Sequence, residues 1–165
     1  MILSIVGPPA IGKSTFIEKL QRYLRWPVVD IAEYRRNIMV NKGRYTLEDE
    51  NEAWRKFGIK VESISSHDII IESSGNIWRL GKIYKRFKDV GIFAICITDD
   101  RKRWIDRLKE RDAEEYELAM MEIDYYSFPP AHLFVHVDCD IKSVVKKIMD
   151  FKIIHKTHKT QLTLF

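Results

Sequence analysis

The sequence predicts an α/β protein built on one five-stranded parallel sheet with helices on both faces. Two observations carry that expectation. Short apolar runs recur along the chain, too uniformly apolar to have a solvated face, and amphipathic stretches with helical spacing separate them. With 45% hydrophobic and 32% charged residues, the 165-residue chain can bury one core and remain an ordinary globular domain.

Each element follows from its local pattern. Ile2 to Val6 is the first strand. A helix follows over Lys13 to Arg25, with Phe16, Ile17, Leu20 and Leu24 on one face. Val28 and Val29 form a short second strand ending at Asp30. The helical region after it breaks near Asn41 to Gly43. It resumes at Leu47, where Leu47, Trp54, Phe57, Val61 and Ile64 recur on the inward face. Ile69 to Ile71 is the third strand, closed by Glu72-Ser73-Ser74-Gly75. Ile77, Leu80, Tyr84 and Phe87 mark a helix, and Ile92 to Ile97 a fourth strand. A charged helix spans Arg101 to Arg111, and Leu133 to Val137 is the fifth strand. The last helix runs Ile141 to Met149, with Ile141, Val144, Val145 and Ile148 inward. From Lys152 the chain is basic and lacks helical periodicity, so the division is a domain over residues 1–151 and a tail over 152–165.

Bulk chemistry narrows the classes. A net charge of +4 favours phosphate-rich partners without requiring them. Cys96 and Cys139 lie in or beside apolar runs, as thiols in a reducing compartment do. No basic segment precedes the first apolar run and none is long enough to span a membrane, so the expected location is the cytoplasm. The histidines, His155 and His158 included, form no metal-ligand spacing.

Gly7-Pro8-Pro9-Ala10-Ile11-Gly12-Lys13-Ser14-Thr15 fits the phosphate-loop pattern G-x-x-x-x-G-K-[ST] at every specified position. Gly7 and Gly12 allow backbone angles that turn successive N–H groups inward around phosphate oxygens. The helix beginning near Lys13 adds the positive end of its dipole. Lys13 would neutralise the β- and γ-phosphates of ATP, and the Ser14 hydroxyl would ligate Mg²⁺. The alternative is a glycine-rich turn that happens to hold a lysine; an apolar strand before it and an amphipathic helix after it argue for the motif.

The chain leaves little room for the modules of motor ATPases, and no Asn-Lys-x-Asp guanine motif occurs. The phosphate loop, the strand order and Arg107-Leu108-x-x-Arg111 resemble the P-loop kinase group of nucleoside, nucleotide and polynucleotide kinases. That resemblance implies a three-layer P-loop NTPase fold, with ATP and Mg²⁺ as cofactors. It also implies a lid in which Arg107 and Arg111 close over the transferring phosphoryl group. Both arginines could instead sit on a solvated helix face, pairing with Asp106, Glu110 and Asp112.

Two acids end apolar strands. By position in such kinases, Asp30 would be the base that accepts the acceptor's proton. Glu72, facing the acceptor, would be the acid that orients Mg²⁺ through water. Each could equally cap a helix or simply end a strand. Ala32 to Met39 locally resembles the acceptor-side segment of phage polynucleotide kinase through Tyr34-Arg35 and Ile38-Met39, which makes Arg35 the acceptor-phosphate position. That alignment puts Ala32 at the catalytic acid, so Asp30 or Glu33 would substitute. Ser73, Ser74, Gly75 and Asn76 contact an acceptor or, by the better reading, cap the helix at Ile77. Trp54, Trp78 and Trp104 are expected in the core.

The last five residues, Gln161-Leu162-Thr163-Leu164-Phe165, resemble the peptide by which bacterial DNA polymerases and repair proteins hold the sliding clamp. The resemblance implies a clamp partner bound through Gln161, Leu162, Leu164 and Phe165; docking on the chain's own domain is the alternative. Three functions stay open. They are a kinase acting on a DNA 5′-hydroxyl end or hydroxymethylated base, a deoxynucleoside monophosphate or nucleoside kinase for free precursors, and an NTPase or nucleotide-binding regulator without an acceptor.

Overall fold

A computed structural model describes the backbone of residues 1–40, 44–111 and 129–162, with side chains through Glu110 and through His155 in the last two stretches. In chain order the elements are β1 (Ile2–Val6), α1 (Lys13–Leu24), β2 (Val28–Asp30), α2 (Ile31–Met39) and α3 (Leu47–Ile64). There follow β3 (Ile69–Ser73), α4 (Ile77–Arg86), β4 (Ile92–Thr98), α5 (Arg101–Arg111), β5 (Leu133–His136) and α6 (Ile141–Leu162). The five strands form one sheet in the order β2-β3-β1-β4-β5, and every pairing is parallel.

The alternation of side chains along each strand divides the core in two. Leu3 and Ile5 of β1, Ile70 of β3 and Ile95 and Ile97 of β4 face one layer, packed by α1, α5 and α6 through Phe16, Leu20, Leu108 and Ile148. Ile2 and Val6, Ile69 and Ile71, and Cys96 face the other, packed by Ile31 of α2, Phe57 and Val61 of α3 and Leu80 of α4. Strands β1 and β3 are buried at every residue, which is why they read as continuous apolar runs. Among the described residues no helix is long and apolar enough to cross a membrane.

Four expectations need correction. The last helix does not stop at Met149 but continues to Leu162. Phe151 packs on Phe93 at 4.8 Å and on His132 at 5.5 Å between ring centroids, and Lys152 pairs with Asp68, which also binds the N-terminal amine. The Lys152 ammonium lies 5.4 Å from the centroid of the Trp26 ring, a basic side chain reaching past an apolar contact. Leu47 is 72% exposed, because it opens the first turn of α3 beyond the sheet. Trp78 is 81% exposed on the outer face of α4, whereas Trp54 and Trp104 are buried as expected. Of the residues expected to cap α4, Asn76 does so, its Oδ1 accepting from the Arg79 N–H at 3.2 Å, but Ser73 lies within β3.

If the last helix stopped at Met149 and left the sheet, truncating Phe151 would cost nothing. The packing instead predicts that Phe151→Ala lowers stability by about 2 kcal/mol in urea unfolding, below the cost at a fully buried site because Phe151 is only half-buried.

Candidate functional site

The register of the parallel strands builds the site. Val6 pairs with Ser73 on one side and Cys96 on the other, and Asp30 pairs with Glu72. The carboxyl ends of β2, β3 and β1 therefore open onto one cleft of about 660 Å³. Pro9, Ala10, Gly12, Lys13 and Ser14 of the glycine-rich segment line it, together with Asp30, Arg35, Arg36, Glu72 and Ser74. Ligands of open parallel sheets bind at this edge.

The segment between β1 and α1 has the shape a phosphate needs. Gly12 is the N-cap of α1 with φ 104°, and Gly7 has φ 155°, both in the region that side chains avoid. A Cβ at Gly7 would meet Ile11 Cγ2 at 3.1 Å and the Ile97 carbonyl at 3.2 Å, so both backbone and space require glycine there. Ala10 adopts φ 58° without being glycine. The Lys13 Nζ donates to the Pro8 carbonyl at 3.0 Å and stands 4.0 Å from Glu72 Oε1. The Ser14 hydroxyl donates to Glu72 Oε1 at 3.3 Å. A hydroxyl and a carboxylate thus meet beside the loop, an oxygen set that suits a hard divalent cation which also binds phosphate oxygens.

Glu72 is 8% exposed. Burial pushes its carboxyl above the ordinary range; Lys13 and the Ser14 bond oppose that shift, while the Asp30 charge adds to it. Asp30 caps α2 through Oδ1, which accepts from the Ala32 N–H at 2.9 Å, and its Oδ2 stands 4.0 Å from Arg36 Nη2. The capping alternative is therefore real, and the same carboxylate also lines the cleft. Glu33 is exposed and does not line it.

Arg35 lines the cleft with its fork anchored from behind. Nε and Nη2 donate to the two Glu50 oxygens at 2.9 and 2.5 Å. Glu50 also accepts from the Tyr45 hydroxyl at 2.7 Å and Trp54 Nε1 at 2.8 Å. Burial alone would raise the Glu50 carboxyl, but these donors hold it at about 2. Burial and the bond to Glu50 push the Tyr45 phenol up to about 12. Glu50 escaped sequence reading; the one visible signal was an acid one turn before Trp54 on the same helix face.

Arg107 reaches the glycine-rich segment itself. Nε donates to the Ala10 carbonyl at 3.1 Å, Nη2 donates to the Ile11 carbonyl at 3.2 Å, and Nη2 also pairs with Asp99. Asp99, which the sequence reading passed over, is wholly buried at its side chain and contacts His136 Nε2 at 3.1 Å. The Arg111 side chain, those of Gln161 and Leu162, and residues Thr163 to Phe165 lie outside the described residues.

No protein-family profile and no curated protein sequence matches the chain. Solved structures do. A gluconokinase from Sinorhizobium meliloti superposes with a TM-score of 0.67 at 14% identity, over 96% of this chain and 95% of that one. The chain has the P-loop kinase fold. The APS kinase of Mycobacterium tuberculosis, solved with AMPPNP and APS, gives 0.60 at 14% identity over 91% of this chain and 95% of its own. A shikimate kinase from Aquifex aeolicus gives 0.52 at 19%, over 90% and 94%.

The raised Glu72 carboxyl makes a signed prediction. The folded protein holds that proton more tightly than the unfolded chain, so the ionised form costs stability once pH passes the ordinary carboxylate range. Glu72→Gln should therefore melt above wild type at neutral pH, and the gap should close as pH falls into the acid range. A variant that melts lower at neutral pH contradicts this.

Proposed function

We propose that this chain is an ATP-dependent kinase that moves the γ-phosphoryl group to an acceptor carrying an anionic group of its own. The observation that carries the reading is one cleft lined both by a phosphate-shaped loop and by Asp30, Arg35 and Arg36. In this scheme the loop N–H groups and Lys13 hold the donor phosphates. Mg²⁺, when bound, supplies charge neutralisation on those phosphates, and Ser14 with Glu72 are the residues to hold it. Asp30 takes the acceptor's proton through Oδ2 as the new P–O bond forms and the bond to ADP breaks. Arg35, stiffened by Glu50, and Arg36 bind the acceptor's anion. Arg111 is the proposed arginine over the transferring group.

The finer reading is an acceptor on nucleic acid, a DNA 5′-hydroxyl end or a hydroxymethylated base. The net charge of +4, the paired arginines and the clamp-like pentapeptide favour it. A sliding clamp bound through Gln161, Leu162, Leu164 and Phe165 is the partner that reading includes. A free small-molecule acceptor, such as a nucleoside monophosphate, is the second reading. It is favoured by a cleft of modest volume and by neighbours named for small acceptors. Release of phosphate to water alone is the outcome that would contradict both.

Labelled ATP offered with DNA ends, hydroxymethylated DNA and nucleoside monophosphates separates these readings by which acceptor takes the label. Lys13→Ala should abolish transfer. Asp30→Asn should slow turnover by about 10²–10⁴-fold with little change in ATP affinity, and near-normal turnover would remove Asp30 as the base. Clamp capture should be lost on deleting residues 161–165.

A further inference from the structure

We propose that α5 is the strap that shapes the phosphate loop, with Asp99 and Arg107 as its positioning residues; this rests on the donor-site reading above. Three consecutive loop carbonyls are held by two side chains of that helix. Trp104 Nε1 donates to the Pro9 carbonyl at 2.7 Å, and Arg107 donates to the carbonyls of Ala10 and Ile11. A trans peptide points its N–H opposite to its C=O. Fixing the Ala10 and Ile11 carbonyls toward α5 therefore aims the N–H groups of Ile11 and Gly12 the other way. Side-chain bonds of this kind are also what a left-handed Ala10 needs, since that conformation persists only where its surroundings over-determine it.

Asp99 fixes the strap in turn. It leaves the sheet just beyond β4, and its side chain has no solvent exposure. One oxygen pairs with Arg107. The other accepts from the Asp100 N–H at 2.8 Å and lies 3.1 Å from His136 Nε2 and 3.6 Å from Arg103 Nη1. A buried carboxylate so surrounded stays where it is, and the guanidinium bound to it is held at one angle. Arg107 keeps three acceptors at once only in that orientation. A lysine, with no planar fork, cannot reproduce it.

The test is calorimetric titration of AMPPNP with Mg²⁺ into wild type, Asp99→Asn, Arg107→Lys and the double variant, with the unfolding midpoint of each recorded. Wild type should bind, and each single variant should bind about tenfold to a hundredfold more weakly. The double variant should bind no more weakly than the worse single, because both changes break one network. Backbone nitrogen-15 relaxation at Ile11 and Gly12, read by NMR without nucleotide, should report greater motion in both single variants. That readout survives where a variant loses binding for other reasons. Wild-type affinity in both variants, additive losses, or unchanged relaxation at those amides overturns the strap. Failure of wild type to bind AMPPNP overturns the donor-site reading instead.

Discussion

Strand β1 is paired on both sides in parallel, and its last residue, Val6, sits level with Ser73 of β3 and Cys96 of β4. That register decides where three chains leave the sheet. Gly7 begins the glycine-rich loop one residue beyond Val6, Glu72 lies one residue short of Ser73, and Asp99 follows three residues after Cys96. Slipping any of these pairings by one residue would turn each side chain to the opposite face. The two-layer core therefore protects the site as well as the fold, because Leu3 and Ile5 commit to one layer and Ile2 and Val6 to the other.

The acids around this cleft differ in how they are satisfied, and the difference sorts their roles. Glu50 accepts from an arginine, a phenol and an indole and is held near 2, as a carboxylate that fixes its neighbours should be. Asp99 is likewise enclosed by donors. Glu72 has longer contacts, 3.3 Å to Ser14 and 4.0 Å to Lys13, and its carboxyl is raised. A carboxylate left less stable than its neighbours at the mouth of a phosphate-shaped loop gains most from a cation there. Proteins commonly concede stability at functional sites in this way.

Motif and fold were legible in the sequence because both are local. The phosphate loop depends on spacing within nine residues, and buried parallel strands betray themselves by lacking polar alternation. Asp30 and Glu72 could be found because strand ends in a parallel sheet converge at one edge. What escaped was long-range or masked. The partners of Arg107 are loop carbonyls 96 and 97 positions away and an acid eight positions back, neither at helical spacing. The continuation of α6 hid behind a run of basic residues, although Phe151 packs on Phe93 and Lys152 pairs with Asp68. Trp78 matched the core pattern, yet α4 turns it outward; composition cannot tell the solvent side of a helix from its sheet side when both carry aromatics.

Phosphorus NMR of the full chain with ATP, Mg²⁺ and each candidate acceptor directly separates the proposed phosphoryl transfer between two bound partners from mere hydrolysis of a nucleotide. With one of them, ADP should form together with an equal amount of a new phosphorylated-acceptor resonance. ADP matched only by inorganic phosphate, whatever acceptor is present, would rule the proposed transfer out.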